Sequence, residues 1–366
     1  MKKIAVIGGD GTGPEVIAEA LKVLKALSLD LEFHELDYNG TRYLNTGVTL
    51  TDDELEGLKN YDAILLGAIG HPDVTPGILE RDILLKLRFG LDQYINYRPV
   101  RLYDNVYTPI KNKTHEHIDY VVVRENTGGL YTGQGSFENK DSADEVAVQH
   151  MVYTRKQVER CVRFAFESAL KRHKEQAWTG LSDAEKAEGF VGKVTLCGKT
   201  NVLTYVFDLW KRVFAEVSKE YPSIKADYVH VDAVCIYMVE CPEIFDIIVT
   251  SNMFGDIITD LAATTQGGMG VAASGNLNPE GVSMFEPIGG TAPNFTGLNQ
   301  INPMAAIGAA HMMLDHLGYE SEALLVEEAK KTVIRDMNSM QAAKMGFGTD
   351  EIGDKVVAAL NSNVVV

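Results

Sequence analysis

The chain is short of basic residues, of cysteine and of long apolar runs, and each shortage removes a class of function. Lys and Arg total 34 against 51 Asp and Glu, a net charge of -17. A surface of that sign repels polyphosphates and anionic lipid, which argues against nucleic acid or a membrane as partner. An anionic ligand would have to be held by a local basic cluster. The four cysteines, Cys161, Cys197, Cys235 and Cys241, show no C-x-x-C spacing. In a chain this large they read as reduced cytosolic thiols, not a disulfide framework or a zinc site. No segment approaches the roughly 18 continuous apolar residues of a membrane span. The N-terminal run MKKIAVIGGDGTGPEV is cut short by Gly8, Gly9 and Asp10, with no small-residue cleavage site after it. It reads as a first strand and not a signal peptide, so a cytoplasmic location is expected.

What is present is an ordinary globular composition, 45% hydrophobic and 23% charged, over 366 residues. That length exceeds a usual single core, so two lobes sharing a cleft are expected. Strand and helix patterns alternate, which points to α/β architecture. Apolar or β-branched strands are expected at Ile4–Ile7, Leu31–Leu36, Tyr61–Gly67, Tyr120–Glu125, Lys193–Cys197, Asp227–Val231 and Phe245–Thr250. Helices are expected at Val16–Leu27, Thr51–Lys59, 151–173 and Tyr205–Tyr221, and the C-terminal part reads as helical with a polar tail. The polar segment Lys174–Gly192 reads as a surface excursion with no assigned chemistry. Residues 267–310 read as one long Gly/Pro/Asn loop ending in a helix, ordered by Phe285, Ile288, Phe295 and Ile301. The glycines at 9, 11 and 13 do not spell G-x-G-x-x-G, and Asp10 would oppose a pyrophosphate, so a Rossmann loop is disfavoured.

Charged residues stand at the ends of these elements. In SNMFGDIITDLAA, Asp256 and Asp260 are four positions apart, which advances about 400° on a helix and puts both carboxylates on one face. A solvated acidic face would look the same. The apolar Ile257, Ile258, Leu261 and Ala262 instead suggest a mostly buried helix, where paired hard oxygens suit Mg²⁺ or Mn²⁺. Arg81, Arg88, Arg98, Arg101 and Arg124 form the basic cluster that an anionic ligand requires. Arg81 and Arg88 are two turns apart with Leu84 on the same face and Leu85 beside it, as in a surface helix or a pocket wall. Tyr120–Glu125 delivers Arg124 into NTGGLYTG around Tyr131, either as a surface ion pair or beside a ligand. Lys199 and Asn201 follow Lys193–Cys197 and share a face if that strand continues, and Asp232 closes the next strand.

Together these blocks resemble one family. GDGTGPEV, LLGAIG, LLLKLRF with NYRPVRLY, VVVRENTGGLYTG, KTNVL, HVDA, SNMFGDIITDLAA and FEPIGGTAPNFTG with INPMAAI run in one order over essentially the whole chain. This is similar to the β-decarboxylating dehydrogenases of (R)-malate-type acids, which include the isopropylmalate, isocitrate, homoisocitrate and tartrate enzymes. Within that group the likeness is nearest to the isopropylmalate-oxidising members. The resemblance implies an α/β two-domain fold with a large central sheet, not a Rossmann fold. Residues 1–97 and 267–366 would form a discontinuous cofactor-side domain, and residues 98–266 a middle domain carrying the interface of a homodimer. It further implies that Arg88, Arg98 and Arg124 bind the carboxylates of a small 2-hydroxy dicarboxylate, and that Leu84 and Leu85 contact its isopropyl group. Tyr131 would be the acid and Lys199 the base. Asp232, Asp256 and Asp260 would hold Mg²⁺ or Mn²⁺, with Lys199, Asn201 and Asp232 supplied by the partner subunit. Glu286, Gly289, Gly290, Thr291, Ala292, Asn294 and Asn302 would line the cofactor site, with NAD expected and NADP left open.

The chain departs from the family pattern in three places. NAD-using members read H-G-S-A-P-D-I where this chain has Gly289, Thr291, Asn294 and Phe295 in place of His, Ser, Asp and Ile, whereas NADP-using relatives carry Lys-Tyr at 294–295. The glutamate that some relatives place seven residues before the first substrate arginine corresponds to Arg81, with Glu80 adjacent. The 174–192 excursion is longer than expected. Alternatives are a sister activity on tartrate, D-malate or homoisocitrate, a non-catalytic regulatory subunit of the same fold, and a helical diphosphate enzyme using D-x-x-x-D for magnesium.

Overall fold

In the computed structural model, which describes Met1–Asn363, the strands in chain order are β1 (Lys2–Ile7), β2 (Leu31–Leu36), β3 (Ala63–Leu66), β4 (Ile95–Arg101), β5 (Asp119–Glu125), β6 (Gly135–Glu138), β7 (Val146–Gln149), β8 (Gly192–Gly198), β9 (Ile224–His230), β10 (Ile247–Thr250), β11 (Ala273–Leu277) and β12 (Ser283–Pro287). The chain divides into two compact units. One comprises Met1–Gln93, Arg98–Ile118 and the chain from Ala263 onward; the other comprises Tyr94–Tyr97 and Asp119–Ala262. Residues 98–118, read from the sequence as middle domain, thus fall in the first unit. There Leu102 N–H donates to the Ile118 carbonyl at 3.0 Å, and Tyr103 and Arg101 engage Glu327.

The first unit carries the strand order β2-β1-β3-β12-β11. β1 runs parallel to β2 and β3, β12 is parallel to β3, and β11 is antiparallel to β12. Every residue of β3, AILL, is buried, as expected of a strand covered on both faces. One cover is the helix Met304–His316, which packs against β3, β11 and β12; the helix Gly13–Ala26, which buries Val16, Ile17, Ala20, Leu21, Val23 and Leu24, packs against it and against helix Thr349–Asn363. A cluster of Leu50, Leu55, Leu58, Leu79, Ile83 and Leu87 packs with Ala5, Ile7, Ile64 and Leu66. The tail beyond Asn363 lies outside the described residues.

Residues 267–310 are not one loop, because β11 and β12 form a buried hairpin inside them. Small residues disguise it. A Cβ on Gly275 would lie 2.8 Å from Leu277 Cδ2 and 3.2 Å from the Phe285 ring, so the position is glycine for packing. Asn276 and Ser274 are buried with their side chains on Glu286, at 2.7 and 3.4 Å.

Asp10 is likewise structural. Its buried carboxylate accepts the N–H of Gly40 at 2.9 Å and of Gly70 at 3.0 Å. It therefore ties together the loops that follow β1, β2 and β3. Behind the sheet, Glu327 gathers Lys330 (3.1 Å), the Tyr103 hydroxyl (3.3 Å) and Arg101 (3.4 Å), with His311 Nδ1 at 3.8 Å. Burial, and then the charge of Lys330, pushes His311 from its ordinary 6.5 down to about 4.

The second unit has the all-parallel order β5-β10-β8-β9, with Thr250 of β10 in register with Arg124 of β5 and Cys197 of β8. Helix Arg155–Arg172 begins at a Thr154–Gln157 capping box and buries Val158, Cys161, Val162, Ala165, Phe166 and Ala169. Helix Val206–Val217 packs on it. The buried carboxylate of Asp246 accepts the Lys193 N–H at 2.9 Å and faces His173 Nε2 at 2.8 Å. The 174–192 excursion is pinned by buried Trp178 and Leu181 and contains the short helix Asp183–Ala187. β6 and β7 form a separate exposed hairpin.

Two stability predictions follow from the first unit. Replacing Asp10 with Ala strands two buried N–H donors, and should lower the unfolding free energy by about 3 kcal/mol in urea titration. For His311 the folded pKa lies below the unfolded one, so the unfolded chain binds more protons between pH 6.5 and about 4 and stability falls as pH drops through that window. His311→Gln should remove about 3 kcal/mol of that loss, read as a flatter Tm-against-pH curve.

Candidate active site

The side chains with chemistry cluster at the carboxyl ends of the parallel strands, where loops leave a rigid sheet. In the second unit the centre is Arg124, at the end of β5 and only 1% exposed. A buried guanidinium needs acceptors in its own plane. Nε and Nη2 both donate to Asn252 Oδ1, at 3.1 and 2.8 Å, and Nη1 donates to Asp256 Oδ1 at 2.5 Å. Asn252 opens the helix Asn252–Thr265 that follows β10. Its amide is fixed in turn, with Nδ2 donating to the Gly128 carbonyl at 3.0 Å and its backbone N–H to the Tyr153 hydroxyl at 2.8 Å. Gly255 makes room, since a Cβ there would sit 2.5 Å from Arg124 Cγ. The Tyr131 hydroxyl donates to the second oxygen of Asp256 at 2.6 Å, and its ring lies 5.2 Å from the guanidinium carbon.

Asp256 is half-buried and Asp260 is exposed one turn further on. The helix is less enclosed than its apolar residues suggest, because Ile257 between them is 54% exposed. Lys199 and Asn201 do not extend β8, which stops at Gly198. They lie in a turn before helix Val206–Val217, so strand alternation does not relate them, and Asn201 is exposed. Lys199 Nζ donates to Asp232 Oδ1 at 2.7 Å, which holds the Asp232 carboxyl below its ordinary range. Asp232 itself lies in the first turn of helix Val231–Glu240, one residue beyond where strand β9 hands over to the helix.

Asp256 and Asp260 offer hard oxygen donors one helical turn apart, the donor chemistry that Mg²⁺ or Mn²⁺ takes. Among the described residues, no group of three or more His, Cys, Asp or Glu side chains stands where it could hold a metal ion. Asp232 therefore does not join Asp256 and Asp260 within one chain. The pair fits a divalent cation as part of a site and leaves its remaining ligands to come from elsewhere.

In the first unit, Arg88 Nη2 is 3.3 Å from Glu286 Oε1, the oxygen that also accepts from Asn276. Arg98 is buried on β4. Leu84 and Leu85 are half-buried just ahead of Arg88, but the face they share differs from a regular helix, because Glu80–Leu85 is a π-helical turn. The wider turn absorbs one extra residue. Arg81 and Arg88 consequently do not share a face: Arg81 is exposed and paired with Asp82 at 2.7 Å. It is Glu80 that lines a 240 Å³ cleft with Gly70, His71, Thr75 and Thr291.

A second cleft of 280 Å³ lies in the same unit, lined among others by Thr12, Gly13, Ala68, Gly268, Gly289, Gly290, Ala292 and Asn302. Thr291 shapes its wall, its carbonyl accepting from Thr12 N at 2.9 Å. Gly11 has φ +57°, and a Cβ on it would lie 2.3 Å from that same oxygen. Ala292 adopts a left-handed φ of 40° and starts the turn carrying exposed Asn294. Asn302 is occupied structurally, donating to the Met340 carbonyl at 3.0 Å. Sequence reasoning gave Asn252 no role, and it named Glu80 only as the neighbour of Arg81, because periodicity does not signal the π-turn that puts Glu80 at the cleft.

The family described as isocitrate/isopropylmalate dehydrogenase matches residues 3–356. The 3-isopropylmalate dehydrogenase of Corynebacterium glutamicum (strain R) is 47% identical over 363 residues, 98% of this chain and 100% of that protein. The 3-isopropylmalate dehydrogenase of Streptomyces griseus is 46% identical over 364 residues, 98% of each. Among solved structures, an isocitrate dehydrogenase from Methylococcus capsulatus matches with a TM-score of 0.84 at 32% identity, over 98% of this chain and 99% of that one. A β-decarboxylating dehydrogenase from Thermococcus kodakarensis matches with a TM-score of 0.78 at 30% identity, over 100% of this chain and 98% of that one.

Asn252→Ala removes the acceptor shared by two Arg124 donors in a buried setting. It should lower the unfolding free energy by about 3 kcal/mol, measured by denaturant titration, whereas Asn294→Ala in its exposed turn should change it by less than about 0.5 kcal/mol.

Proposed function

Because the chain belongs to the isocitrate/isopropylmalate dehydrogenase family, we propose that it oxidatively decarboxylates (2R,3S)-3-isopropylmalate to 4-methyl-2-oxopentanoate, the dehydrogenase step of leucine biosynthesis. The observation that carries the substrate choice is the half-buried Leu84–Leu85 pair immediately before Arg88. Aliphatic side chains beside a carboxylate-binding guanidinium suit a branched alkyl group on a malate skeleton and disfavour a third carboxylate. The names of the curated relatives point to the same acid.

In this reading Arg88, Arg98 and Arg124 hold the two carboxylates and thereby fix the C2 hydrogen toward the nicotinamide. Lys199 takes the C2 hydroxyl proton, directly or through a water. Tyr131 returns a proton to the carbon that has lost CO₂. Asp256 and Asp260, with Asp232 from the partner subunit, would hold Mg²⁺ or Mn²⁺. Bound there, the ion would supply Lewis-acid stabilisation of negative charge on the substrate oxygen, and NAD would supply the hydride-accepting group. The cleft around Gly289, Gly290, Thr291, Ala292 and Asn302, with Glu286 and Asn294, would take the dinucleotide. NAD is favoured over NADP because Asn294-Phe295 supplies no cation for a 2′-phosphate. Glu80, not Arg81, would then face the nicotinamide side.

A homodimer with shared sites fits this assignment. In the second unit Tyr205 is 93% exposed, and Val202, Ile236, Val239 and Ile257 are also exposed, a set of apolar side chains that a second copy would cover. Asp232 and Lys199 lie on the elements that carry this surface, and a partner would bring them to its own Asp256 and Asp260. The enzyme would work in the cytoplasm. Among the described residues, no helix is long and apolar enough to cross a membrane.

A panel of NAD⁺ and NADP⁺ with isopropylmalate, D-malate, tartrate and isocitrate tests the assignment. Mn²⁺-dependent NAD⁺ reduction should be fastest with isopropylmalate, and no turnover of that acid would overturn the reading. Replacing Leu84 and Leu85 together with Ser should cut kcat/KM for isopropylmalate about 10- to 100-fold, equivalent to the loss of 1–3 kcal/mol of aliphatic contact, and should affect D-malate less. Dilution below the dimer dissociation constant should abolish turnover, so an active monomer would refute the shared site.

A further inference from the structure

We propose that Asp256 is a carboxylate shared between two states of the second unit. Without a divalent cation it locks Arg124 and Tyr131; with the cation bound it releases both toward substrate. The proposal rests on the reading of Asp256 as a cation ligand and concerns what that ligand does beforehand.

The two oxygens of Asp256 are divided between two donors, Arg124 Nη1 on Oδ1 at 2.5 Å and the Tyr131 hydroxyl on Oδ2 at 2.6 Å. These are the groups assigned above to a substrate carboxylate and to proton return. As they stand, both point at a protein side chain. Arg124 has a second, different partner in Asn252, whose side-chain oxygen takes Nε and Nη2. That partner is neutral, buried, and pinned by Gly128 and Tyr153, so it cannot follow a change at the metal. Asp256 is 41% exposed and sits on the open side of the guanidinium. Arg124 is therefore gripped by a fixed acceptor at one edge and an exchangeable one at the other. Asn252 acts as a positioning residue that keeps the plane of the guanidinium in place while Nη1 changes partner.

Charge drives the exchange. A dication on Asp256 draws electron density from the oxygens that Arg124 and Tyr131 use, and it repels the guanidinium across a poorly solvated gap. A substrate carboxylate can then accept from Nη1 in place of Asp256. Cation and carboxylate ligand thus favour each other's binding, while a cation alone has to break the lock. Linkage requires the effect to be mutual.

The test uses the full-length protein in its native assembly and Mn²⁺ alone as probe, with affinity read by electron paramagnetic resonance of free Mn²⁺ and no substrate or dinucleotide present. Tyr131→Phe removes one of the two locking donors without touching a proposed ligand. It should bind Mn²⁺ about tenfold tighter than the unmodified protein, the scale of one hydrogen bond to a charged group. Equal or weaker binding by Tyr131→Phe, with the unmodified protein binding normally, overturns the lock and leaves the metal assignment standing. If the unmodified protein binds no Mn²⁺, both fail. Should Tyr131→Phe not fold, the unmodified protein carries the test by itself. Saturating Mg²⁺ should shift its near-ultraviolet tyrosine absorption as the Tyr131 hydroxyl leaves the carboxylate, and an unchanged spectrum overturns the proposal.

Discussion

A guanidinium that is 1% exposed cannot be left without acceptors, and much of the second unit is arranged around that constraint. Strand β5 brings Arg124 to the edge of the sheet, and the parallel neighbour β10, in register at Thr250, starts the next helix beside it. The first residue of that helix is an asparagine whose oxygen faces Arg124, and the fourth is a glycine because a side chain there would strike the arginine stem. The following loop is shaped for the same purpose. Glu125, buried next to Arg124, accepts the N–H groups of Thr127 and Gly128 and so presents the Gly128 carbonyl to Asn252. Burial pushes the Glu125 carboxyl up, opposed by the Thr127 hydroxyl, by these two N–H donors and by the charge of Arg160.

The first unit solves a matching problem with opposite charge. Asp10 and Glu286 are carboxylates satisfied by groups from segments far apart in sequence: the loops at Gly40 and Gly70 for one, and Ser274, Asn276 and Arg88 for the other. In both units, then, a charged side chain at the carboxyl end of a strand fixes the path of the loops around it. Loops held this way can place several functional groups without a regular element beneath each one.

This explains what could be read from the sequence. β2 is found at Leu31–Leu36, as expected; β5 and β10 lie within a few residues of their expected bounds, because continuous apolar or β-branched runs have no other good home in an α/β sheet. β11 and β12 were hidden. ASGNL has the composition of a loop, and its strand character comes from Glu286 and Phe285 packed against it, which are contacts and not local preferences. The site's polar members were legible by type and position: Arg124 ends β5, Asp232 follows β9, Asp256 and Asp260 lie on the helix after β10, Tyr131 lies in the loop after β5, and Arg88 precedes β4. Their mutual contacts were not. Nothing local in the sequence indicates that Tyr131 reaches Asp256 across 125 residues, or that Lys199 turns away from its strand to meet Asp232.

The π-helical turn at Glu80–Leu85 has a consequence for how this chain relates to others of its kind. It is an insertion of one residue taken up inside a helix and not in a loop, so the helix enters and leaves on the same path while every position before the turn moves one step around the axis. Counting back from Arg88 therefore names the wrong side chain, and the acidic group at the cleft is Glu80. Deleting one residue between Arg81 and Arg88 would restore the ordinary helical pitch and leave Glu80 at the cleft, whereas unwinding the turn with its length kept would bring Arg81 round in its place, so the chemistry of this wall is encoded by helix length as much as by residue identity.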